Sequence, residues 1–342
     1  MIKVLIVDDT QVEREVLSYV INNEINLEVM GAVNNGEEAL KYLQTHKPDV
    51  ITMDMHLPGM DGMETTKEIL KLHNIPILIV SGSQSMFNVD RSFQALSVGA
   101  LAVLEKPAGL NDPNSVEAAR TLIETIKIVS KIKVPLKESP TKEPSEVVVH
   151  KIPVKIKAVA IGTSFGGPQA LRYIFSLLPA TFPVPIFVAQ HIAPGFITSL
   201  IEWLSQSSKL QIKVAEENEI AKPGFIYFAP DLCHIMLHEN GRIKILKSEK
   251  IEPTPSISHL FNSISKAYGS HSLGVLLTGM GKDGVDELLN LKHQGAITVV
   301  QSAEGCLLYG LPKEAILAGA ASYVVPLHHI PKTILKLVDH DK

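Results

Sequence analysis

The sequence predicts an α/β protein made of two doubly wound parallel-sheet domains, a flavodoxin-like one first and a larger one after it, joined by a linker. Three observations carry that expectation. Short Val-, Ile- and Leu-rich runs alternate with helix-length amphipathic stretches. That rhythm stops at Lys131–Lys157, and from Ala158 it resumes with different contents. The length of 342 residues suits two ordinary domains better than one.

In the first half the apolar runs are "KVLIVD", "LEVMGAV", "DVITMD", "PILIVSG" and "ALAVLEK", each bounded by turn residues. Gly36–Thr45 and Met63–His73 carry apolar residues at helical spacing, and Ser115–Ile128 predicts a closing helix. Five such repeats make one sheet over residues 1–130. The stretch 131–157 is rich in Lys, Glu, Ser and Pro without an aromatic residue, and reads as an extended linker. In the domain of residues 158–342, strands are expected at Val159–Gly162, Ile186–Gln190, Phe225–Ala229, Leu273–Thr278 and Ile297–Gln301. A helix should follow Gly167, because Pro168 suits a first-turn position. "HENGRIKIL" reads as a hairpin with an Asn-Gly turn.

Composition excludes several classes. At 45% apolar, 20% charged and a net charge of −4, with Lys and Arg scattered, nothing suggests a nucleic-acid groove. No apolar run approaches the ~18 residues of a membrane span, and "MIKVLIVDD" lacks the features of a signal peptide. Two cysteines, Cys233 and Cys306, make no disulfide framework and no zinc site, so a cytoplasmic location is expected.

In an open parallel sheet, chemistry gathers at the carboxyl ends of the strands. In the first domain Asp8 and Asp9, Asp54, Ser81 and Lys106 fall there. Crowded carboxylates repel one another, and a hard cation such as Mg²⁺ relieves that repulsion. A lysine and a hydroxyl can then hold the oxygens of a phosphoryl group on a carboxylate, with Asp54 the central candidate. "LIVDDTQVERE", "PDVITMDMHLPGMDG", "ILIVSG" and "ALSVGALAVLEKP" resemble a response-regulator receiver domain. The resemblance implies phosphorylation of Asp54 by a histidine kinase and Mg²⁺ held by Asp8, Asp9, Asp54 and the His56 carbonyl. It also implies phosphoryl oxygens gripped by Ser81 and Lys106, and a cis Lys106–Pro107 bond. Val103 stands where many receivers carry an aromatic residue, which argues against a switch based on ring rotation.

In the second domain Gly162–Gly166 reads Gly-Thr-Ser-Phe-Gly, which fits a nucleophile elbow exposing Ser164. Phosphate-binding rivals fail: there is no G-x-G-x-x-G, and in "GMGKDG" Asp283 stands where a P-loop needs a hydroxyl. A serine needs a base, and the base an orienting carboxylate. His191 follows the strand "PIFVAQ" and Asp283 follows another, so a parallel sheet puts both on the edge that carries Ser164. Asp231 with His234 is the rival pair and Asp286 a further competitor at a helix start. His328 and His329 read as surface residues.

"AIGTSFGGPQAL", "VAQHIAPGFITSL", "KPGFIYFAP", "GVLLTGMGKDGVDEL" and "GLPKEAI" resemble the catalytic domain of chemotaxis protein-glutamate methylesterases. The resemblance implies a phosphorylation-regulated serine hydrolase with nucleophile Ser164, base His191 and acid Asp283. Its substrate would be methylated glutamates on chemoreceptor cytoplasmic helices, with deamidation of receptor glutamines as a second activity. It implies no cofactor for the ester chemistry. Phe165 replaces a threonine usual in that family, leaving its main-chain N–H, and one from the Met280–Gly281 turn, for an oxyanion. "PTPS" at Pro253–Ser256 replaces His-Arg-Pro-Ser. Two alternatives stay open: a hydrolase of this fold in a non-chemotaxis signalling system, and an inert phosphorylation-dependent adaptor.

Overall fold

The computed structural model describes residues 1–82, 86–107, 113–132, 154–248 and 254–338. The chain divides into two units, Met1–Pro144 and Ser145–Lys342, each with its own buried core. Most of the expected linker lies outside the described residues. Among those residues no helix is long and apolar enough to cross a membrane.

The first unit alternates β1 (Ile2–Val7), α1 (Gln11–Asn22), β2 (Leu27–Val33), α2 (Gly36–Leu43), β3 (Val50–Met53), α3 (Gly62–Leu72), β4 (Ile77–Ser81), α4 (Met86–Val98), β5 (Ala102–Glu105) and α5 (Pro113–Val129). Side-chain oxygens of Asn35 and Asp61 accept from the N–H groups of Glu38 and Glu64, which starts α2 and α3 where the sequence turns polar. All strands are parallel, in the order β2-β1-β3-β4-β5. β3 and β4 are buried throughout, as their unbroken apolar runs require of strands covered on both faces. Strand order reverses between β1 and β3, the place where such sheets bind ligands. Register sets the site there. Val7 pairs with Met53, and the N–H of Asp54 donates to the Val7 carbonyl at 2.8 Å, so Asp8 and Asp54 leave neighbouring strands together. Ser81 pairs with Glu105, and the N–H of Lys106 donates to the Ser81 carbonyl at 2.9 Å. Among the described residues the cis peptide bond is Thr254–Pro255, so the expected cis Lys106–Pro107 is not found. That expectation came from likeness alone, and the intrinsic preference of an X–Pro bond is slight.

The second unit runs β6 (Ala158–Thr163), α6 (Gly167–Leu177), β7 (Ile186–Gln190), α7 (Ile197–Ser205), β8 (Gln211–Val214), β9 (Phe225–Phe228), β10 (Cys233–Leu237), β11 (Ile243–Lys247), α8 (Ile257–Tyr268), β12 (Ser272–Leu276), α9 (Val285–His293), β13 (Ile297–Gln301), α10 (Leu311–Leu317), β14 (Tyr323–Val325) and α11 (Ile330–Val338). Seven strands form a parallel sheet in the order β14-β13-β12-β6-β7-β9-β8. β10 and β11 form the expected hairpin, turning at Asn240-Gly241 with Gly241 at φ 81°. β6 is the central strand, and the chain order departs from it in both directions, making its carboxyl end the switch point. Ile257, Leu260, Phe261 and Ile264 of α8 are fully buried in a core shared with Phe187, Tyr227 and Leu288. The sequence reading missed β8 and β14. Both lie at sheet edges, only 4 and 3 residues long and partly exposed, too short to stand out as strands.

Candidate active site and phosphoryl-acceptor pocket

At the edge of the first sheet, Asp8 and Asp54 are both buried beside Lys106. The Lys106 ammonium lies 2.8 Å from Asp8 Oδ2 and 3.3 Å from Asp54 Oδ2, and it also pairs with Glu13 from the first turn of α1. Burial alone would lower the pKa of Lys106. The charges of Asp54 and Asp8 and its hydrogen bonds to Asp8 and Glu13 raise it instead, so it stays a cation. Burial pushes the Asp8 carboxyl upward against the pull of Lys106. Oxygens of Asp8, Glu13 and Asp54 lie within 4.8 Å of one another, a hard donor set that suits Mg²⁺. Asp9, expected among the ligands, is exposed, and its carboxylate accepts from the Thr10 hydroxyl at 3.2 Å. Glu13 joins Asp8 and Asp54 in the cluster. Sequence reasoning missed it because it lies inside a helix rather than at a strand end. The hydroxyl of Ser81 is buried and makes no hydrogen bond among the described residues. Buried polar groups are almost always paired, so this one suits a partner that the protein does not itself supply.

The second sheet brings Ser164, His191 and Asp283 to one edge. The pair Thr163↔Gln190 ends the β6–β7 ladder, and the N–H of His191 donates to the Thr163 carbonyl at 3.1 Å. Ser164 and His191 are therefore the first residues beyond two adjacent strands. On the other side, the N–H of Ser164 donates to the Thr278 carbonyl at 3.0 Å, tying the nucleophile turn to the loop after β12. The reversal of the chain is made by Gly166, at φ 77°, and Ser164 is not among the residues with positive φ. The serine thus keeps an ordinary backbone, and glycine supplies the left-handed turn.

Asp283 Oδ2 lies 2.8 Å from His191 Nε2. The same carboxylate accepts from the main-chain N–H of Ile257 at 2.7 Å, from that of Ser258 at 3.0 Å and from the Ser256 hydroxyl at 3.1 Å. These groups open α8, so a helix N-terminus and its partial positive charge are aimed at the acid. Burial by itself would raise the Asp283 pKa. The His191 hydrogen bond and charge, with those of Ser258 and Ile257, outweigh it and hold the carboxyl well below its usual range. A carboxylate accepts only, so Nε2 of His191 carries the proton and Nδ1 is the basic nitrogen.

Polar residues at the ends of the apolar strands tie this edge together. Thr278 donates its hydroxyl to the Phe165 carbonyl at 2.9 Å and its N–H to Gln301 Oε1 at 2.9 Å. The N–H of Phe165, next to Ser164 in the nucleophile turn, makes no hydrogen bond among the described residues. Gly279 passes so close that a Cβ there would stand 2.6 Å from that of Ser164.

The rival residues serve elsewhere. Asp231 is exposed and accepts from the N–H of Gly195 at 3.0 Å. His234 is buried in β10, with Nδ1 accepting from the N–H of Ser256 at 2.9 Å. Asp286 lies in the first turn of α9. His328 and His329, expected at the surface, are half-buried with rings 4.4 Å apart, in a turn that packs against α6. Cys233 and Cys306 are free thiols, and burial pushes Cys306 up to about 11, leaving it protonated at neutral pH. Pro253 lies outside the described residues.

Comparison with known proteins matches both halves of the chain. The profile of the response regulator receiver domain matches residues 4–115, and that of CheB methylesterase matches residues 159–334. A protein-glutamate methylesterase/protein-glutamine glutaminase from Nitrosospira multiformis is 41% identical over 345 residues, covering 99% of this chain and 97% of its own. One from Syntrophus aciditrophicus is 43% identical, covering 98% of each chain. The crystal structure of the Thermotoga maritima CheB methylesterase catalytic domain superposes with a TM-score of 0.51 at 40% identity, over 54% of this chain and 100% of that one. With both profiles matched in this order and relatives alike from end to end, the chain belongs to the CheB methylesterase family, in the form that carries a response-regulator receiver domain ahead of the catalytic domain.

Proposed function

We propose that the protein is a phosphorylation-regulated protein-glutamate methylesterase that also deamidates glutamine, acting on chemoreceptor cytoplasmic helices. The observation that carries the reading is the His191–Asp283 pair at the sheet edge that presents Ser164. Ser164 Oγ attacks the γ-carbonyl of a methylated glutamate while His191 Nδ1 takes its proton. The carbonyl oxygen becomes an oxyanion against the N–H of Phe165, where losing a donor costs on the order of 10²–10³ in rate. His191 returns the proton to the departing methanol. A water, deprotonated by the same nitrogen, then frees the glutamate and restores Ser164. On glutamine the leaving group is ammonia. Asp283 stays ionised throughout and stabilises the imidazolium that forms at each transfer.

In the receiver, Asp54 accepts the phosphoryl group from a histidine kinase, and Lys106 and Ser81 hold its oxygens. Mg²⁺, held by Asp8, Asp9 and Asp54 with Glu13 at hand, would neutralise charge on the phosphoryl group. The test is methanol release from methylated receptor fragments, with mass-spectrometric detection of Ser164 modified by a fluorophosphonate. Release that persists in Ser164→Ala, or labelling at another residue, would reject the assignment.

A further inference from the structure

Gln190 is the last residue of β7 and is 3% exposed. Its Nε2 donates to the carbonyl of Ser164 at 2.8 Å and to that of His191 at 2.8 Å. Two carbonyls face this amide, so only its NH₂ end fits there, and Oε1 is left buried without a hydrogen bond among the described residues. An apolar side chain of the same shape would avoid that unsatisfied oxygen, but it would leave one carbonyl in each of the two catalytic turns without this donor.

The Ser164 carbonyl belongs to the same planar peptide unit as the Phe165 N–H, and in a trans peptide the two point in opposite directions. That carbonyl is held twice, by Gln190 and by the N–H of Gly167 at 2.9 Å. The next peptide is held through the Phe165 carbonyl by the Thr278 hydroxyl. Fixing these carbonyls aims the N–H between them. A second observation supports the arrangement from the opposite side. A Cβ at Gly167 would lie 1.9 Å from Gln190 Oε1 and 2.5 Å from Thr163 Oγ1, so any larger residue displaces the amide.

We infer that Gln190 is a positioning residue that aims the Phe165 N–H at the oxyanion and sets His191 against Ser164. The inference rests on the proposed reading that Ser164 is the nucleophile and the Phe165 N–H the oxyanion donor. Its chemistry is transition-state orientation rather than substrate binding, so kcat should fall while KM holds.

The experiment uses the full chain treated with a phosphodonor and Mg²⁺, comparing wild type, Gln190→Met and Gly167→Ala. For each, kcat and KM for methanol release are measured per Ser164 titrated with fluorophosphonate. Affinity for a small alkylboronic acid, which forms a tetrahedral anionic adduct on Ser164, is measured beside them. The expected result is a fall in kcat of about 10²-fold, as for a lost oxyanion donor, with KM within about twofold. Boronate affinity should weaken by a similar factor, and Gly167→Ala should move in the same direction. A purely structural role would lower the melting temperature and the titratable fraction but leave kcat per titrated serine intact. That outcome, or unchanged boronate affinity, overturns the inference. If Gln190→Met does not fold, Gly167→Ala decides alone. A wild type that is not labelled at Ser164 fails the reading beneath, and the inference falls with it.

Discussion

His191 and Asp283 meet through Nε2 and Oδ2 at 2.8 Å, which leaves Nδ1 as the nitrogen that handles the serine proton. Because the carboxylate fixes the tautomer, Asp283→Asn should cost far more than one hydrogen bond. It offers an NH₂ toward donors and allows the imidazole proton to sit on the wrong nitrogen. We expect kcat to fall about 10²–10⁴-fold. Ser164→Ala and His191→Ala should each abolish turnover without loss of fold. Asp231→Asn should retain near-normal kcat, since that carboxylate serves the N–H of Gly195. Normal turnover in Asp283→Asn beside a dead Asp231→Asn would reverse the assignment.

The same carboxylate makes a pH prediction. Its pKa in the folded state lies below the unfolded value of ~3.9. A depressed carboxyl contributes stability that is fully present above the unfolded pKa and is lost as pH falls through the folded one. The difference in melting temperature between wild type and Asp283→Asn should therefore be flat from neutral pH down to about pH 4, then narrow. A difference that closes between pH 7 and 5 would mean that Asp283 is not held low.

The strand ends were legible because each apolar run stops at a polar or charged residue. That signal alone placed Asp8, Asp9, Asp54, Ser81, Lys106, Ser164, His191 and Asp283 at strand ends. It could not locate Asp283's other partners, because two of them are main-chain N–H groups at the start of α8, identical in kind to every other N–H in the chain. Gln190 was hidden as the tail of an apolar strand. Glu13 reaches the acidic pocket only through the packing of α1 beside β1. Asp9, adjacent to Asp8, is exposed where Asp8 is buried.

The two units carry separate cores, which predicts independent folding. Cutting near Ser139, within the expected linker and outside the described residues, should release two soluble fragments, each with a cooperative melting transition. The fragment from Ala158 onward holds Ser164, His191 and Asp283 entire, so fluorophosphonate should still label it at Ser164. Failure of both fragments to fold would place the boundary elsewhere.

Ser81 offers a way to separate the phosphoryl pocket from the stability of its domain. Its hydroxyl is buried and unpaired among the described residues, so Ser81→Ala removes no hydrogen bond to any of them. Deleting an unsatisfied buried polar group is neutral or mildly stabilising, and the melting temperature should not fall. The hydroxyl matters only once a phosphoryl group brings about −1.5 to −2 charges and new acceptor oxygens to Asp54. Lys106 must then serve the phosphoryl oxygens as well as Asp8 and Glu13, and the Ser81 O–H becomes the uncharged donor beside it. We therefore expect wild type to gain methanol-releasing activity with a phosphodonor and Mg²⁺. Asp54→Asn should not respond at all, and Ser81→Ala should respond weakly while keeping its basal rate. The measurements are initial rates with and without donor, and phosphoryl incorporation by mass shift. A full response in Ser81→Ala, or any donor-dependent gain in Asp54→Asn, would show that the phosphoryl group is held by other residues.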